Sequence, residues 1–61
     1  MIQTLKSKSG TTYNLRKRET NGKTYYEVED KCFDPQYEEF EYFTIGTFET
    51  EEEAKRFIEE R

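Results

Sequence analysis

Acidic residues concentrate between positions 30 and 41 and are the first candidates for chemistry in this chain. Carboxylates in such number can bind a divalent cation or act as general acid and base. Their spacing does not follow the alternating Asp-x-Asp-x-Asp-Gly order of a calcium loop, and the chain has no histidine. We therefore predict neither a metal site nor a cofactor at these residues, which are Asp30, Asp34, Glu38, Glu39 and Glu41.

Nucleophilic catalysis is also poorly supported by the residue types present. Cys32 is the only cysteine, so no intramolecular disulfide can form, and no histidine is available to activate its thiol. Ser7, Ser9 and the threonines lack a histidine base for the same reason, and no glycine-rich loop has the form of a phosphate cradle. We expect a protein without enzymatic activity.

Charge is divided unevenly along the chain. Residues 1–25 carry six Lys and Arg against one acidic residue, a net charge of +5, whereas residues 26–61 carry four against thirteen, a net charge of −9. One interpretation is that neighbouring strands neutralise each other within the fold. The other is that the acidic half is an interaction surface. The sequence leaves both open.

Length and composition limit the size of the core. A chain of 61 residues forms one domain, 1–61, and buries only about 60% of its unfolded surface. At 39% charged and 31% hydrophobic it is close to a disordered composition, but 16% aromatic residues supply core mass. No apolar run approaches the ~20 residues of a membrane span, and no leader is evident. We expect a folded cytoplasmic protein, bacterial or host-cell, that is a monomer or small homo-oligomer and has no membrane partner.

Turn and strand signals predict an α+β fold. Strands are predicted at about 2–6, 11–19, 23–30 and 40–48, an acidic loop at 31–39, and a helix at about 51–60. Asn21-Gly22 is the preferred dipeptide for a two-residue type I′ turn. The prediction is a small antiparallel three- or four-stranded meander sheet packed on one C-terminal helix, ββββα, or βββα if the N-terminal segment does not pair.

The predicted helix has a clear start and one apolar face. Thr50 followed by Glu53 fits a capping box, in which the two residues satisfy each other's backbone amides. Ala54, Phe57 and Ile58 then follow at the spacing that places them in one stripe. We expect this stripe to pack against the sheet.

Period-2 alternation divides the predicted sheet into two faces. Leu15, Tyr26 and Val28 share one face. Phe43 and Ile45 are predicted to point from the last strand toward the helix. The opposite face then carries Tyr25 and charges of both signs on adjacent strands, with Arg16 and Arg18 on one and Glu27 and Glu29 on the other.

A family resemblance appears in the order of several short segments. Leu15-Arg16-Lys17-Arg18, Gly22-Lys23, Glu27-Val28-Glu29-Asp30 and Ile45-Gly46-Thr47-Phe48-Glu49-Thr50 with Glu53-Ala54 follow one another over roughly residues 13–58. This order resembles the Apetala/ethylene-response-factor DNA-binding domain, whose plan is similar to the arm-site-binding domain of some integrases. The resemblance implies a three-stranded sheet laid across a C-terminal helix, with the open sheet face entering the DNA major groove.

The resemblance also implies nucleic-acid contacts, but only in part. Arg16 and Arg18 fall where the family has base- and phosphate-contacting arginines, and Lys23 falls on the lysine that opens its second strand. Glu29 stands where the family usually has an arginine, and Thr44 where it has a tryptophan. Nucleic-acid binding is therefore the alternative prediction, through Arg16, Lys17, Arg18 and Lys23, with Tyr25 available for stacking.

The preferred prediction is a non-enzymatic protein-binding inhibitor or regulator. Aromatic residues interleaved with carboxylates are typical of binding patches, and the charge favours a basic, nucleic-acid-handling partner. Small acidic proteins of this kind resemble phage-encoded inhibitors, including nucleic-acid mimics and anti-defence proteins. The predicted surface comprises Glu27, Glu29, Asp30, Asp34, Tyr37, Glu38, Glu39, Phe40, Glu41 and Tyr42.

Two further alternatives remain open. Tyr37, Phe40 and Tyr42 are equally suited to covering the edge of the sheet or helix, because so small a domain needs most of its aromatic residues for its core. A structural or assembly role through an exposed sheet edge is the last alternative.

Overall fold

The computed structural model describes residues 2–61 and confirms the predicted ββββα architecture. Four strands form one antiparallel sheet in the order β1-β2-β3-β4, and one helix, α1, follows the last strand. The molecule measures 38 × 29 × 16 Å. No helix within the described residues has the length and apolar character needed to span a membrane. The elements are β1 Ile2–Lys6, β2 Thr12–Thr20, β3 Lys23–Asp34, β4 Glu39–Phe48 and α1 Glu51–Glu59.

The N-terminal segment forms the fourth strand. β1 pairs with β2 along its whole length, from Ile2 opposite Arg16 to Lys6 opposite Thr12. The connection is closed by Ser7, whose side-chain oxygen accepts a hydrogen bond from the backbone N–H of Thr11 at 3.1 Å. These contacts make the sheet four-stranded rather than three-stranded.

The β2–β3 hairpin follows its sequence signals. Asn21 and Gly22 have φ values of 52° and 77°, the positive values that a type I′ turn requires at both central positions. The resulting register places Leu15 opposite Val28, and both are buried beneath the helix. The two-face division predicted for these strands is confirmed.

The β3–β4 hairpin is longer than predicted. β3 continues to Asp34 and β4 begins at Glu39, so the predicted acidic loop 31–39 is wrong, and residues 35–38 alone connect the strands. Asp34-Pro35 opens the turn instead of lying within a loop. The added strand residues are held by cross-strand packing, since the rings of Phe33 and Phe40 meet edge to face with centroids 5.2 Å apart.

A β-bulge interrupts the β3–β4 ladder. Val28 pairs with Gly46 and Glu29 with Thr44, so Ile45 has no partner on β3. Such an extra residue bends its strand and redirects its side chain. Here Ile45 packs against the core, as predicted.

Phe43 lies on the helix side of the sheet, because it pairs with Asp30 on the face of Val28, but it does not take part in the core. Its side chain is 47% exposed, because residues 30–43 extend beyond the region that α1 covers and contribute nothing to the core cluster. Phe48 packs against the core instead and meets Phe57 with ring centroids 5.0 Å apart. A Cβ at Gly46 would lie 2.8 Å from the Phe48 ring, so a larger residue here would require that ring to shift.

The helix packs as its sequence pattern predicts. Ala54 and Ile58 are fully buried, and Phe57 packs beside them. The capping box forms with one difference. Thr50 Oγ1 accepts from the Glu53 N–H at 3.2 Å, but the Glu53 carboxylate accepts from the Thr50 hydroxyl, at 3.0 Å, rather than from its backbone amide.

Side-chain hydrogen bonds fix both ends of α1 on the sheet. Gln3 Nε2 donates to the carboxylate of Glu51 at 3.0 Å near the start of the helix. Beyond its end, Arg61 Nε donates to the Tyr13 hydroxyl at 3.2 Å, and the guanidinium lies 5.0 Å from the centre of the Phe57 ring. These contacts hold the two ends of the helix region against β1 and β2.

Candidate functional site

The molecule has two regions that differ in what covers them. The proximal sheet consists of β1, β2, residues 23–29 of β3 and residues 44–48 of β4, and α1 lies across it. Pairing of β2 with β3 ends at Asn14 and Glu29, beside the bulge. Residues 30–43, the distal hairpin, therefore project from the sheet as a two-stranded ribbon.

Large exposed apolar side chains are concentrated in the distal hairpin. Six are found among residues 2–61, and Ile2 is the one that lies outside it. The other five expose about half or more of their surface. They are Phe33 at 49%, Tyr37 at 64%, Phe40 at 57%, Tyr42 at 54% and Phe43 at 47%.

One face of the distal hairpin is aromatic. Phe33 pairs with Phe40, and Lys31 pairs with Tyr42 in the adjacent position on the same face. The Lys31 ammonium lies 4.2 Å from the centre of the Phe40 ring, a cation–π contact. This face is continuous with the open face of the proximal sheet, which is the face opposite α1. The two are continuous because β3 keeps its alternation from Glu29 through Lys31 to Phe33.

The opposite face of the distal hairpin is acidic. Cys32 pairs with Glu41, and Asp34 with Glu39. Asp30 belongs to this face by the same alternation. The predicted acidic-aromatic surface is therefore split by the ribbon, with carboxylates on one side and Phe40 and Tyr42 on the other. Phe43, opposite Asp30, lies on the acidic side.

Two of the predicted carboxylates shape the backbone. Asp34 Oδ1 accepts from the Gln36 N–H at 3.0 Å, which closes the turn, and Asp30 Oδ1 accepts from the N–H of Lys31 at 2.7 Å. Glu38 ends the turn with φ of 53°, a left-handed backbone conformation that residues other than Gly and Asn adopt at a cost. Asp30 and Asp34 thus have local structural roles.

The remaining carboxylates of the hairpin have no cationic partner within residues 2–61. None of the ion pairs found in residues 2–61 involves Glu38, Glu39 or Glu41. All three residues are exposed. With five acidic residues and one lysine, residues 30–43 carry a net charge of −4.

Glu27 and Glu29 belong to the proximal sheet and are neutralised there. Arg16 Nε donates to Glu29 at 3.2 Å, and Arg18 Nε donates to Glu27, which also accepts from the Thr44 hydroxyl at 3.2 Å. The hydrogen bond to Glu27 raises the pKa of Arg18. Glu29 is 7% exposed, and its Oε1 has no partner among the described residues. The structure separates these two carboxylates from the distal hairpin.

The predicted nucleic-acid set is only partly brought together. Arg16, Arg18 and Tyr25 lie on the open face, with Tyr25 directly opposite Arg18. Lys23 follows the type I′ turn at the far end of the same strand. Lys17 lies on the other face, opposite Tyr26, which packs against the core. Both arginines are already paired with glutamates.

Two aromatic residues of the distal hairpin, Phe33 and Phe43, were absent from the predicted surface. The signal that could have found Phe33 is the period-2 alternation of carboxylates and aromatic residues in Glu39-Phe40-Glu41-Tyr42, which places Phe40 opposite Phe33 in a hairpin. It indicates paired strands once the turn is placed at residues 35–38.

No group of three or more His, Cys, Asp and Glu residues within positions 2–61 is placed to hold a metal ion. Comparison of the chain with protein families, with characterised proteins and with solved structures gives no match.

Proposed function

We propose that this protein is a non-enzymatic binding module that attaches to a basic protein through its distal hairpin. The partner class is a protein whose surface is basic because it handles nucleic acid, and the expected effect of binding is inhibition or regulation of that protein. The observation that carries the proposal is the confinement of five exposed aromatic side chains to residues 33–43.

The aromatic face supports binding because of what aromatic residues contribute to interfaces. Tyr and Phe bury large areas with little loss of side-chain entropy and dominate the energetics of many interfaces. Phe33 and Phe40 are already held against each other, so Phe40 is pre-oriented for contact. An exposed aromatic cluster of this kind on a small soluble domain is typical of an interaction site.

The charge of the hairpin supports a basic partner. Glu38, Glu39 and Glu41 have no ion-pair partner among residues 2–61, so they are free to pair with Arg or Lys of another protein. Exposed carboxylates on the face opposite the aromatic rings favour encounter with a basic surface and discriminate against acidic ones.

The competing proposal is direct nucleic-acid binding through the open face. It is the function that the resemblance to the Apetala/ethylene-response-factor domain implies. Affinity for nucleic acid depends on Lys and Arg that neutralise phosphates. Arg16 and Arg18 already donate to Glu29 and Glu27, so phosphates would have to displace these carboxylates. The acidic distal hairpin beside this face opposes the approach of a polyanion.

Capture of basic proteins by charge-reversal variants tests the proposal. Glu38→Lys, Glu39→Lys and Glu41→Lys combined should reduce the captured basic protein about ten-fold or more, measured by quantitative mass spectrometry with nuclease-treated lysate. The matched control has the same change in net charge at exposed residues elsewhere, in Glu49→Lys, Glu59→Lys and Glu60→Lys, and should capture as the wild type does.

The same experiment distinguishes the competing proposal. A variant with Arg18→Gln and Lys23→Gln, which leaves the Arg16–Glu29 ion pair intact, should retain the captured protein if the distal hairpin is the contact. Loss of capture in this variant and not in the hairpin variant would reject the proposal. Binding of duplex DNA that weakens steeply as salt is raised would favour the nucleic-acid alternative instead.

A further inference from the structure

The outer edge of β4 is open for pairing. β4 is the last strand of the sheet, so one side of its backbone has no neighbouring strand within residues 2–61. It is ten residues long, contains neither Lys nor Pro, and residues 39–44 are all exposed. Lys, Pro and short length are the usual means by which proteins protect such edges from strand addition. Residues 39–44 precede the bulge, so this stretch of edge is regular.

The opposite edge of the sheet is better protected. β1 forms it with five residues, half the length of β4, and ends in a lysine, Lys6. The regular part of the β4 edge, residues 39–44, is slightly longer than β1 and, unlike β1, contains no lysine.

Side chains along the β4 edge alternate in chemistry as well as in direction. Glu39 and Glu41 lie on the acidic face, and Phe40 and Tyr42 lie on the aromatic face. A strand added beside residues 39–42 would place every second side chain next to a carboxylate and the others next to an aromatic ring. The edge therefore favours a partner strand whose successive side chains alternate in chemistry.

A second copy of the chain is a poor occupant of this edge. Two β4 strands paired antiparallel around residues 39–42 would bring Glu39 and Glu41 of one copy against the same residues of the other. Like charges opposite each other across strands are destabilising. A basic strand has the complementary charge at these positions.

We propose that the β4 edge accepts an extended segment of the partner protein in which Arg or Lys alternates with apolar residues. This inference rests on the proposed function, because it takes the basic protein partner as given and adds the mode of its recognition. Main-chain hydrogen bonds to residues 39–44 supply affinity, and the alternating side chains supply specificity.

Titration with defined peptides tests the inference. The probe is a capped peptide of alternating arginine and valine, about six residues long, the usual length of a strand. Its control has the same composition arranged as a block of arginines followed by a block of valines. The alternating peptide should bind about ten-fold more tightly or better, measured by NMR titration of the isotope-labelled protein. Equal affinities, or no binding of either peptide, would overturn the inference.

Amide hydrogen exchange separates strand addition from contact through side chains alone. Every second backbone N–H within residues 39–44 faces outward, and its exchange should slow about ten-fold or more when the alternating peptide is bound. Binding without slower exchange at these amides would overturn the inference.

A charge-exchanged pair provides the specificity control. The variant Glu39→Lys with Glu41→Lys should lose its preference for the arginine-valine peptide and bind an alternating glutamate-valine peptide instead. An unchanged preference contradicts the assigned roles of the two carboxylates. If hairpin charge reversal abolishes capture but these peptide tests fail, the proposed function stands and strand addition is rejected. If capture also survives charge reversal, both are rejected.

Discussion

The proximal sheet together with α1 and the distal hairpin contain equal numbers of aromatic residues and use them differently. The five of the proximal sheet and helix are buried or half-buried, and the five of the distal hairpin are exposed. A chain of 61 residues has little core to spare, so exposing half of its aromatic residues is a loss for folding that contact with another molecule would offset. The proximal aromatics are Tyr13, Tyr25, Tyr26, Phe48 and Phe57, and the distal ones are Phe33, Tyr37, Phe40, Tyr42 and Phe43.

Carboxylates differ between the two regions in the same way. In the proximal sheet, Glu27 and Glu29 accept hydrogen bonds from arginines on the neighbouring strand. In the distal hairpin, Glu39 and Glu41 form none of the ion pairs found in residues 2–61. Neutralisation within the fold therefore applies to the carboxylates of the proximal sheet, and it does not extend to Glu39 and Glu41 within residues 2–61.

Truncation of apolar side chains should give the largest difference in stability cost between the two regions. Ile58→Ala removes a fully buried side chain and should lower the free energy of unfolding by about 2–5 kcal/mol in urea denaturation. Phe33→Ala removes a larger side chain from the distal hairpin, where it is 49% exposed, and should cost about 0.5–1.5 kcal/mol, the worth of its aromatic pair with Phe40. A loss at Phe33 equal to that at Ile58 would remove the distinction between the regions.

Removal of charged groups should also lower stability more in the proximal sheet than in the distal hairpin, but by a smaller difference. Arg16→Met takes away the donor to Glu29, leaves a buried carboxylate with both oxygens unpaired, and should cost about 1–3 kcal/mol. In the distal hairpin, Glu41→Gln removes an exposed carboxylate and should change stability by less than about 0.5 kcal/mol in either direction.

The double variant Arg16→Met with Glu29→Leu provides the check on this prediction. Replacing both partners by apolar groups removes the unpaired carboxylate. The double variant should therefore recover most of the stability that Arg16→Met alone loses. If the double variant is no more stable than Arg16→Met, the cost does not come from the stranded Glu29.

Local signals in the sequence were sufficient for most of the fold. Asn21-Gly22 located the turn, and Thr50 with Glu53 located the helix start, because turn and cap chemistry act over a few residues. The extension of β3 to Asp34 could not be predicted in this way. It depends on contact between Phe33 and Phe40, which are distant until the hairpin has formed. The bulge at Ile45 likewise depends on the partner strand.

The candidate site was predictable in composition but not in arrangement. Phe40, Tyr42, Glu39 and Glu41 were identified from their types and spacing. Because the segment was predicted as a loop, no faces could be assigned to it, and Phe33 was not included. The division into an acidic and an aromatic face follows from strand alternation, which becomes available once the register is known.

The most direct test of the division between a folding region and a binding region is capture of the partner by an aromatic variant. Phe40→Ser with Tyr42→Ser should reduce the captured basic protein about ten-fold or more. Ile2→Ser, the control, removes the exposed apolar side chain that lies outside the hairpin and should leave capture unchanged. Equal capture by the wild type and the aromatic variant would contradict the assignment of the distal hairpin as the binding surface.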